Sequence, residues 1–353
     1  MEKYLIINPF GIGDALFATP VIRALKNRYP GCFIGYWCNE RVGDLLKNNP
    51  KIAKVFSLSR GDIKRIYKDS YLKRLTALFK LISEIRKEKF DAAFDLSLDS
   101  RYGLWSLLAG IKKRVGLDYK NRCRFLTDKI CLNGSSGRHV IEYNLDVLKL
   151  INVEPEGKSP ELVISEEDRG MARNILKKYG VVASDILVGM APGGGASWGR
   201  DAIYKQWPVE KFAEVAIKAA KELGAKVVLL GSAEERPLAE VVEKMGQFID
   251  LTGKLSLNEL TAVISELKLL ICNDGGLLHM AVALGVNTVS MFGPVDERIY
   301  GPYPPSERHI VIKKDLSCRP CYKDFRFAGC SNNRRCLKDI TVEEVFEKVK
   351  SLL

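Results

Sequence analysis

Short apolar runs rich in β-branched residues alternate along the chain with longer segments whose apolar positions recur at helical spacing, the pattern of βαβ units and parallel sheets. In the first half, YLIIN (4–8), CFIGYWC (32–38), KVFSL (54–58) and FDAAFDLS (90–97) read as strands. ALFATPVIRALKNRY (15–29), RVGDLLKNN (41–49) and the amphipathic stretch 72–87 read as helices. In the second half, ILVGMAPGG (186–194), AKVVLLGS (225–232), LLICND (269–274) and NTVSMFG (287–293) are candidate strands. PVEKFAEVAIKAAKELG (208–224), RPLAEVVEKMG (236–246) and LNELTAVISEL (257–267) are the helices beside them. The fold class is α/β, and each half can close its own doubly wound sheet with ligands at the carboxyl ends of its strands.

At 353 residues the chain suits two domains. The polar, proline-containing stretch VEPEGKSPELVISEED (153–168) places the boundary at 160/161. The expected division is 1–160, 161–335 and a C-terminal helix in 336–353 that packs back on the first domain. No uncharged apolar run approaches the roughly 18 residues of a membrane span. MEKYLIINPF reads directly as a first strand and lacks the pattern of a signal peptide, so a cytoplasmic chain is expected.

Charge divides the halves. Residues 1–160 hold 29 Lys and Arg against 17 Asp and Glu, and residues 161–353 hold 26 against 26, so the whole net charge of +12 lies in the first half. Much of it sits in 59–74 and 100–125, which would attract nucleic acid, anionic lipid or a phosphorylated substrate. Solvated lysine-rich helix faces account for the same counts.

Three segments carry candidate chemistry. In NPFGIGDALFATP (8–20), Gly11 and Gly13 fit a dinucleotide fingerprint, but Leu16 takes the third glycine position and no acid closes the second strand. A Walker motif is absent. What remains is a glycine turn that delivers Asp14 to a helix start, where an N-cap and a catalytic carboxylate fit equally. Thr19-Pro20 reads as a second cap or a kink. In APGGGASWGRDAIYKQWPVEKF (191–212), amides of Gly193, Gly194 and Gly195 with Lys205 suit a diphosphate, and a plain surface loop suits the glycines too. In CNDGGLLHMAVALGVNTVSMFGP (272–294), the amides of Gly275, Gly276 and Leu277 open a helix whose positive end favours phosphate. Asp274 there would cap the helix or hold a hydroxyl, and His279 is a packed structural histidine or a ligand contact.

Taken in order, GIGDALFATP, K-x-W-P after a PGG strand end, and NDGGLLHMAVALGV followed by FGP resemble glycosyltransferase family 9, the ADP-heptose:lipopolysaccharide heptosyltransferases. LLAGIKKRVGLD and HVIEYNLDVLKLINVEP extend the likeness over nearly the whole chain. The resemblance implies a GT-B fold, two facing Rossmann-like domains with a central cleft, acceptor on the first and nucleotide sugar on the second, with no cofactor needed for catalysis. It implies an inverting transfer of heptose from ADP-heptose to the lipopolysaccharide inner core. Asp14 matches the family's proposed general base, Lys205 its phosphate-binding lysine, and Asp274 and His279 its second-domain motif. DGG stands here where many members have DTG. The ribose carboxylate would be Glu234 or Glu235, with Glu235 preferred. The acceptor, Kdo-bearing lipid A, would meet Gly13 and the basic residues Arg60, Lys64, Arg65, Arg101, Arg122 and Arg124. The same basic patch could hold the enzyme, expected as a monomer, against the cytoplasmic face of the inner membrane.

Cys318, Cys321, Cys330 and Cys336 are spaced C-x2-C-x8-C-x5-C, compatible with a structural zinc knuckle, with redox-labile disulfides or with unliganded thiols. Two other functions fit the same sequence. A GT-B nucleotide-sugar hydrolase or epimerase would need acidic groups on both faces of the sugar. A basic nucleic-acid-binding protein is disfavoured because neither an RNA nor a DNA module and no aromatic stacking motif lies in the basic stretches, so no nucleic acid is expected.

Overall fold

The computed structural model describes residues 1–57, 71–134 and 137–353, and for 71–74, 196 and 197 the description is confined to the backbone. The chain divides into two compact units, Met1–Leu162 and Val163–Leu353. The division falls just beyond residue 160 because the linker is tied to the first unit. Arg23 donates to Glu156 O and Ser159 O, and Glu161 N donates to the Thr19 hydroxyl at 2.8 Å.

The first unit is a parallel sheet of β1 (Lys3–Asn8), β2 (Phe33–Cys38), β3 (Lys54–Ser57), β4 (Ala92–Asp95), β5 (Lys113–Tyr119) and β6 (Asp128–Leu132), in the order β3-β2-β1-β4-β5-β6. The second has β7 (Leu187–Ala191), β8 (Lys226–Leu229), β9 (Ile249–Asp250), β10 (Leu269–Asn273), β11 (Asn287–Phe292) and β12 (His309–Lys313), in the order β12-β11-β10-β7-β8-β9, again parallel. Counted from its own first strand, the second sheet repeats the order of the first. The expected α/β class with two Rossmann-like sheets is what the chain forms.

Parallel strands need helices on the faces, and the apolar stripes supply them. Leu5, Ile7, Trp37 and Phe56 of the first sheet pack with Leu81, Ile82 and Ile85 of helix Tyr71–Glu88 and with Tyr102 of helix Ser100–Leu108. Each large apolar side chain so buried contributes about 1.5–3 kcal/mol. Helix starts follow short polar residues: Asn39, Asp99 and Ser165 each accept a backbone N–H of the first turn. Gly224, at φ 64°, ends helix Val209–Leu223 in the left-handed conformation a side chain disfavours.

Two expectations are corrected. Strands β5, β6, β9 and β12 were not anticipated. In β5 the charged Arg114 and Asp118 hid the strand, yet both are buried and answered by tertiary partners: Arg114 donates to Phe125 O and Ile111 O at 2.6 Å, and Asp118 takes Lys129 at 2.6 Å and Cys123 N at 2.9 Å. Arg114 therefore does not add to a surface patch. The C-terminal helix, expected on the first domain, belongs to the second unit. Val342, Val345, Phe346 and Val349, at i, i+3, i+4 and i+7, are buried in the core with helix Val209–Leu223 and β11, and Thr341 and Glu344 close a capping box at its start.

Candidate active site

In each sheet the connections run one way from the first strand and return to its other side, so a crevice opens where the direction reverses. That switch point lies between β1 and β4 in the first unit and between β7 and β10 in the second. The motif residues cluster at the loops beside these two points.

In the first unit, β1 ends at Asn8, whose amide donates to Asp14 O at 2.9 Å and whose oxygen accepts from Phe10 N at 3.3 Å. Helix Ile12–Phe17 follows, with Gly11 as a cap that makes no side-chain bond, Gly13 second and Asp14 third in the first turn. Asp14 is thus not the N-cap. Its half-buried carboxylate sits where the helix dipole favours negative charge. Below it, the buried Tyr36 hydroxyl donates to Ala15 O at 3.4 Å, and burial first, then Cys38 and Asp14, push its phenol well above the usual range. Gly11 is extended, at φ −82°, and a Cβ on it would meet nothing within 4 Å. The glycine therefore leaves open space beside the helix start and is not forced by the turn. Pro20 marks a kink: Ala18 stays α-helical between Phe17 and helix Thr19–Arg28, and the Thr19 hydroxyl bonds Leu16 O at 2.7 Å.

Of the expected acceptor residues, Arg60, Lys64 and Arg65 lie outside the described residues. Arg101 opens helix Ser100–Leu108 and is held by both carboxylate oxygens of Asp99, at 3.0 and 2.9 Å from Nε, a pairing that raises its pKa. Arg122 lies 5.5 Å from the Tyr119 ring, and Arg124 is exposed. All three follow β4 or β5 at the carboxyl edge of the sheet.

In the second unit, the three glycines after β7 are needed for three reasons. A Cβ on Gly193 would lie 1.8 Å from the Glu235 carboxylate, one on Gly194 would lie 2.3 Å from Ala202 O, and Gly195 has φ 79°. Glu235 accepts Gly195 N at 3.2 Å and Ser232 N at 2.9 Å, so it staples the loop after β7 to the loop after β8. Glu234 is exposed. Asn273, the last residue of β10, donates to Pro192 O at 2.8 Å and Gly193 O at 3.0 Å, and accepts Trp207 N at 2.9 Å. The helix Gly276–Ala283 begins from Gly275, which caps it without a side chain, and the buried His279 follows in its first turns.

Of the two roles expected for Asp274, capping this helix is not the one it takes, since Gly275 is the N-cap. Its carboxylate pairs with Lys205 at 2.8 Å, both side chains 7% exposed, while Lys205 Nζ stands 5.1 Å from the Trp198 ring centroid. A buried pair of this kind is favourable only while both partners remain. Sequence reasoning placed Lys205 and Asp274 separately and missed Asn273 and Trp198. The only signal for Asn273 was a polar residue ending an apolar run.

The four clustered cysteines are unpaired thiols. Cys330 Sγ accepts Arg334 N at 3.2 Å, and Cys321 Sγ donates to Cys318 O at 3.1 Å. Among the described residues no group of three or more His, Cys, Asp or Glu side chains is arranged to hold a metal ion. Between them a short hairpin, β13 (Tyr322–Lys323) and β14 (Arg326–Phe327), stacks on Trp198 and Tyr204, with ring centroids 4.9–5.2 Å apart.

Two Rossmann-like units, the second with a glycine loop, a lysine and a helix start beside its switch point, define an α/β protein of doubly wound sheets. The profile of glycosyltransferase family 9 (heptosyltransferase) matches residues 78–330, and the chain belongs to that family. It is a glycosyltransferase of GT-B fold. Lipopolysaccharide heptosyltransferase 2 of Escherichia coli strain K12 is 24% identical over 364 aligned positions, covering 99% of this chain and 98% of the relative. The crystal structure of a family 9 glycosyltransferase from Veillonella parvula superposes with a TM-score of 0.83 at 24% identity, over 99% of this chain and 97% of that one. The E. coli ADP-heptose lps heptosyltransferase II structure gives 0.79 at 23% identity, over 99% and 98%.

Proposed function

We propose that the protein transfers heptose from ADP-heptose to a Kdo or heptose acceptor of the lipopolysaccharide inner core, with inversion at the anomeric carbon. The observation that carries this reading is the contrast between the switch points: a carboxylate at a helix start in the first unit, glycine amides and a lysine in the second. Asp14 takes the proton of the acceptor hydroxyl as its oxygen bonds to the anomeric carbon, and the bond from that carbon to the β-phosphate oxygen breaks on the opposite face. The electron pair leaves with ADP. Lys205 and the amides from Gly193 to Gly195 and from Gly275 to Leu277 take the developing charge.

Asp274 keeps Lys205 in place while no phosphate is present, and His279 stands in the helix that faces the same anion. Gly275 leaves phosphate contact at that position to the backbone, where many family members have a threonine. Glu235 sets the loops on which the ribose would rest, and a carboxylate with two bonded oxygens still has lone pairs for a hydroxyl. Gly13 and the basic residues of the first unit receive the acceptor, and the same charge draws a monomeric enzyme to the anionic face of the inner membrane. No described helix is long and apolar enough to cross a membrane.

Purified protein with ADP-heptose and Kdo2-lipid A should give a product heavier by one heptose. No such product with any heptose donor or core acceptor would sink this assignment.

A further inference from the structure

The residue that ends the switch-point strand behaves differently in the two sheets. In the second, Asn273 crosses to the loop after β7 and closes it through Pro192 O and Gly193 O. In the first, the residue ending β4 is Asp95, 2% exposed. Its Oδ1 accepts Ser97 N at 2.9 Å from the loop that follows, while Oδ2 is buried with no hydrogen-bond partner. Burial, reinforced by Asp99 and opposed by the bonds to Ser97, pushes this carboxyl up to about 6. The neighbouring strand is drawn tightly against it: a Cβ on Gly116 of β5 would lie 2.4 Å from Asp95 O and 3.2 Å from its Cβ.

From Asp95 a relay of bonds runs outward. The Ser97 hydroxyl accepts Asp99 N at 3.2 Å, and Asp99 caps helix Ser100–Leu108 through Arg101 N while gripping the Arg101 guanidinium. Between them Leu98 is held at φ 58°, a left-handed conformation uncommon for a leucine. An asparagine oxygen could accept the bonds from Ser97 without burying a charge. A second, unanswered oxygen beside the switch-point crevice is an acceptor that a ligand hydroxyl can meet.

We propose that the loop after β4 is a wall of the acceptor site, with Asp95 taking a sugar hydroxyl on Oδ2 and, through Ser97 and Asp99, positioning Arg101 for an anionic group of the same acceptor. Because Oδ2 is buried in this conformation, taking a ligand requires the loop after β4 to move. The ligand class is a hydroxylated sugar bearing a carboxylate or phosphate, and the inference rests on the transferase reading above.

The test uses the full chain, with Kdo2-lipid A in detergent micelles as the acceptor probe and ADP as a control ligand. Asp95→Asn should weaken acceptor binding and raise its KM about tenfold, as for loss of a hydrogen bond to a charged group, with ADP affinity unchanged. Ser97→Ala, which breaks the relay one bond further out, should give a smaller change of the same kind and serves if Asp95→Asn does not fold. A folded Asp95→Asn or Ser97→Ala protein with wild-type affinity for both ligands overturns the proposal. Wild type that binds the glycolipid but transfers no heptose to it or to any heptose-bearing core acceptor refutes the transferase reading and leaves the two affinities to decide this one. Wild type that binds neither Kdo2-lipid A nor its heptose-bearing forms overturns both.

Discussion

The two sheets share one strand order and put opposite chemistry at the same topological position. At the first switch point stand two carboxyl groups, Asp14 and Asp95, and at the second stand glycines and a lysine whose charge is held by Asp274. The scaffold decides where a ligand sits, and the residues ending the strands and starting the helices decide which ligand. Asn273 shows how such a crevice is closed by the fold itself, and Asp95 how it is left with an unmet acceptor.

The sharpest way to break the contrast is at Asp14. Asp14→Asn should keep ADP binding and lose about 10²–10⁴-fold in turnover, the range of a missing general base. Full activity in that variant would mean another group takes the proton. Next comes the buried pair. Lys205→Ala leaves Asp274 charged and unpaired, so thermal unfolding should show about 3 kcal/mol lost, and calorimetry should show ADP binding weakened. Adding Asp274→Asn should restore stability without restoring affinity, and unchanged ADP affinity in the single variant would count against the phosphate role.

Asp95 predicts the opposite sign. Its folded-state pKa, about 6, lies above the ordinary 3.8 of an aspartate in water, so folding favours the protonated acid. The carboxylate therefore costs stability above pH 6, and that cost fades as pH falls toward 4. Asp95→Asn should gain about 2–3 kcal/mol in denaturant unfolding at pH 7.5 and nothing at pH 3.5. A gain independent of pH would show that the charge is not its source. The smallest effect belongs to Arg124, exposed on the loop after β5. Arg124→Ala should weaken binding to anionic glycolipid by about 1 kcal/mol or less, and raised salt should erase the difference.

Much of the fold was legible because burial on both faces writes continuous apolar runs into strands such as LIIN and LLICN, and helical stripes into segments such as Val209–Leu223. The β5 strand was not legible, since Arg114 and Asp118 look like surface charge until Phe125 O, Ile111 O and Lys129 are brought to them. The motif glycines and Asp14 were found, but the reasons differed. Gly11 is extended and opens space, and Asp14 sits inside the first turn, not before it. Asp95 was passed over as one polar residue in the strand FDAAFDLS. Its meaning depends on a missing partner, which no local pattern records.

By itself the sequence determined the alternation of strands and helices, the excess of basic charge in residues 1–160 and the three glycine-bearing motifs. Periodicity and turn chemistry are local, and a single chain displays them before it folds. Only the tertiary structure decided that Lys205 meets Asp274, that Glu235 joins two loops, that the last helix serves the second unit and that Asp95 keeps an oxygen without a donor. Those outcomes depend on which groups lose water together and which find partners across the sheet, and desolvation is a property of the packed interior that no stretch of sequence carries alone.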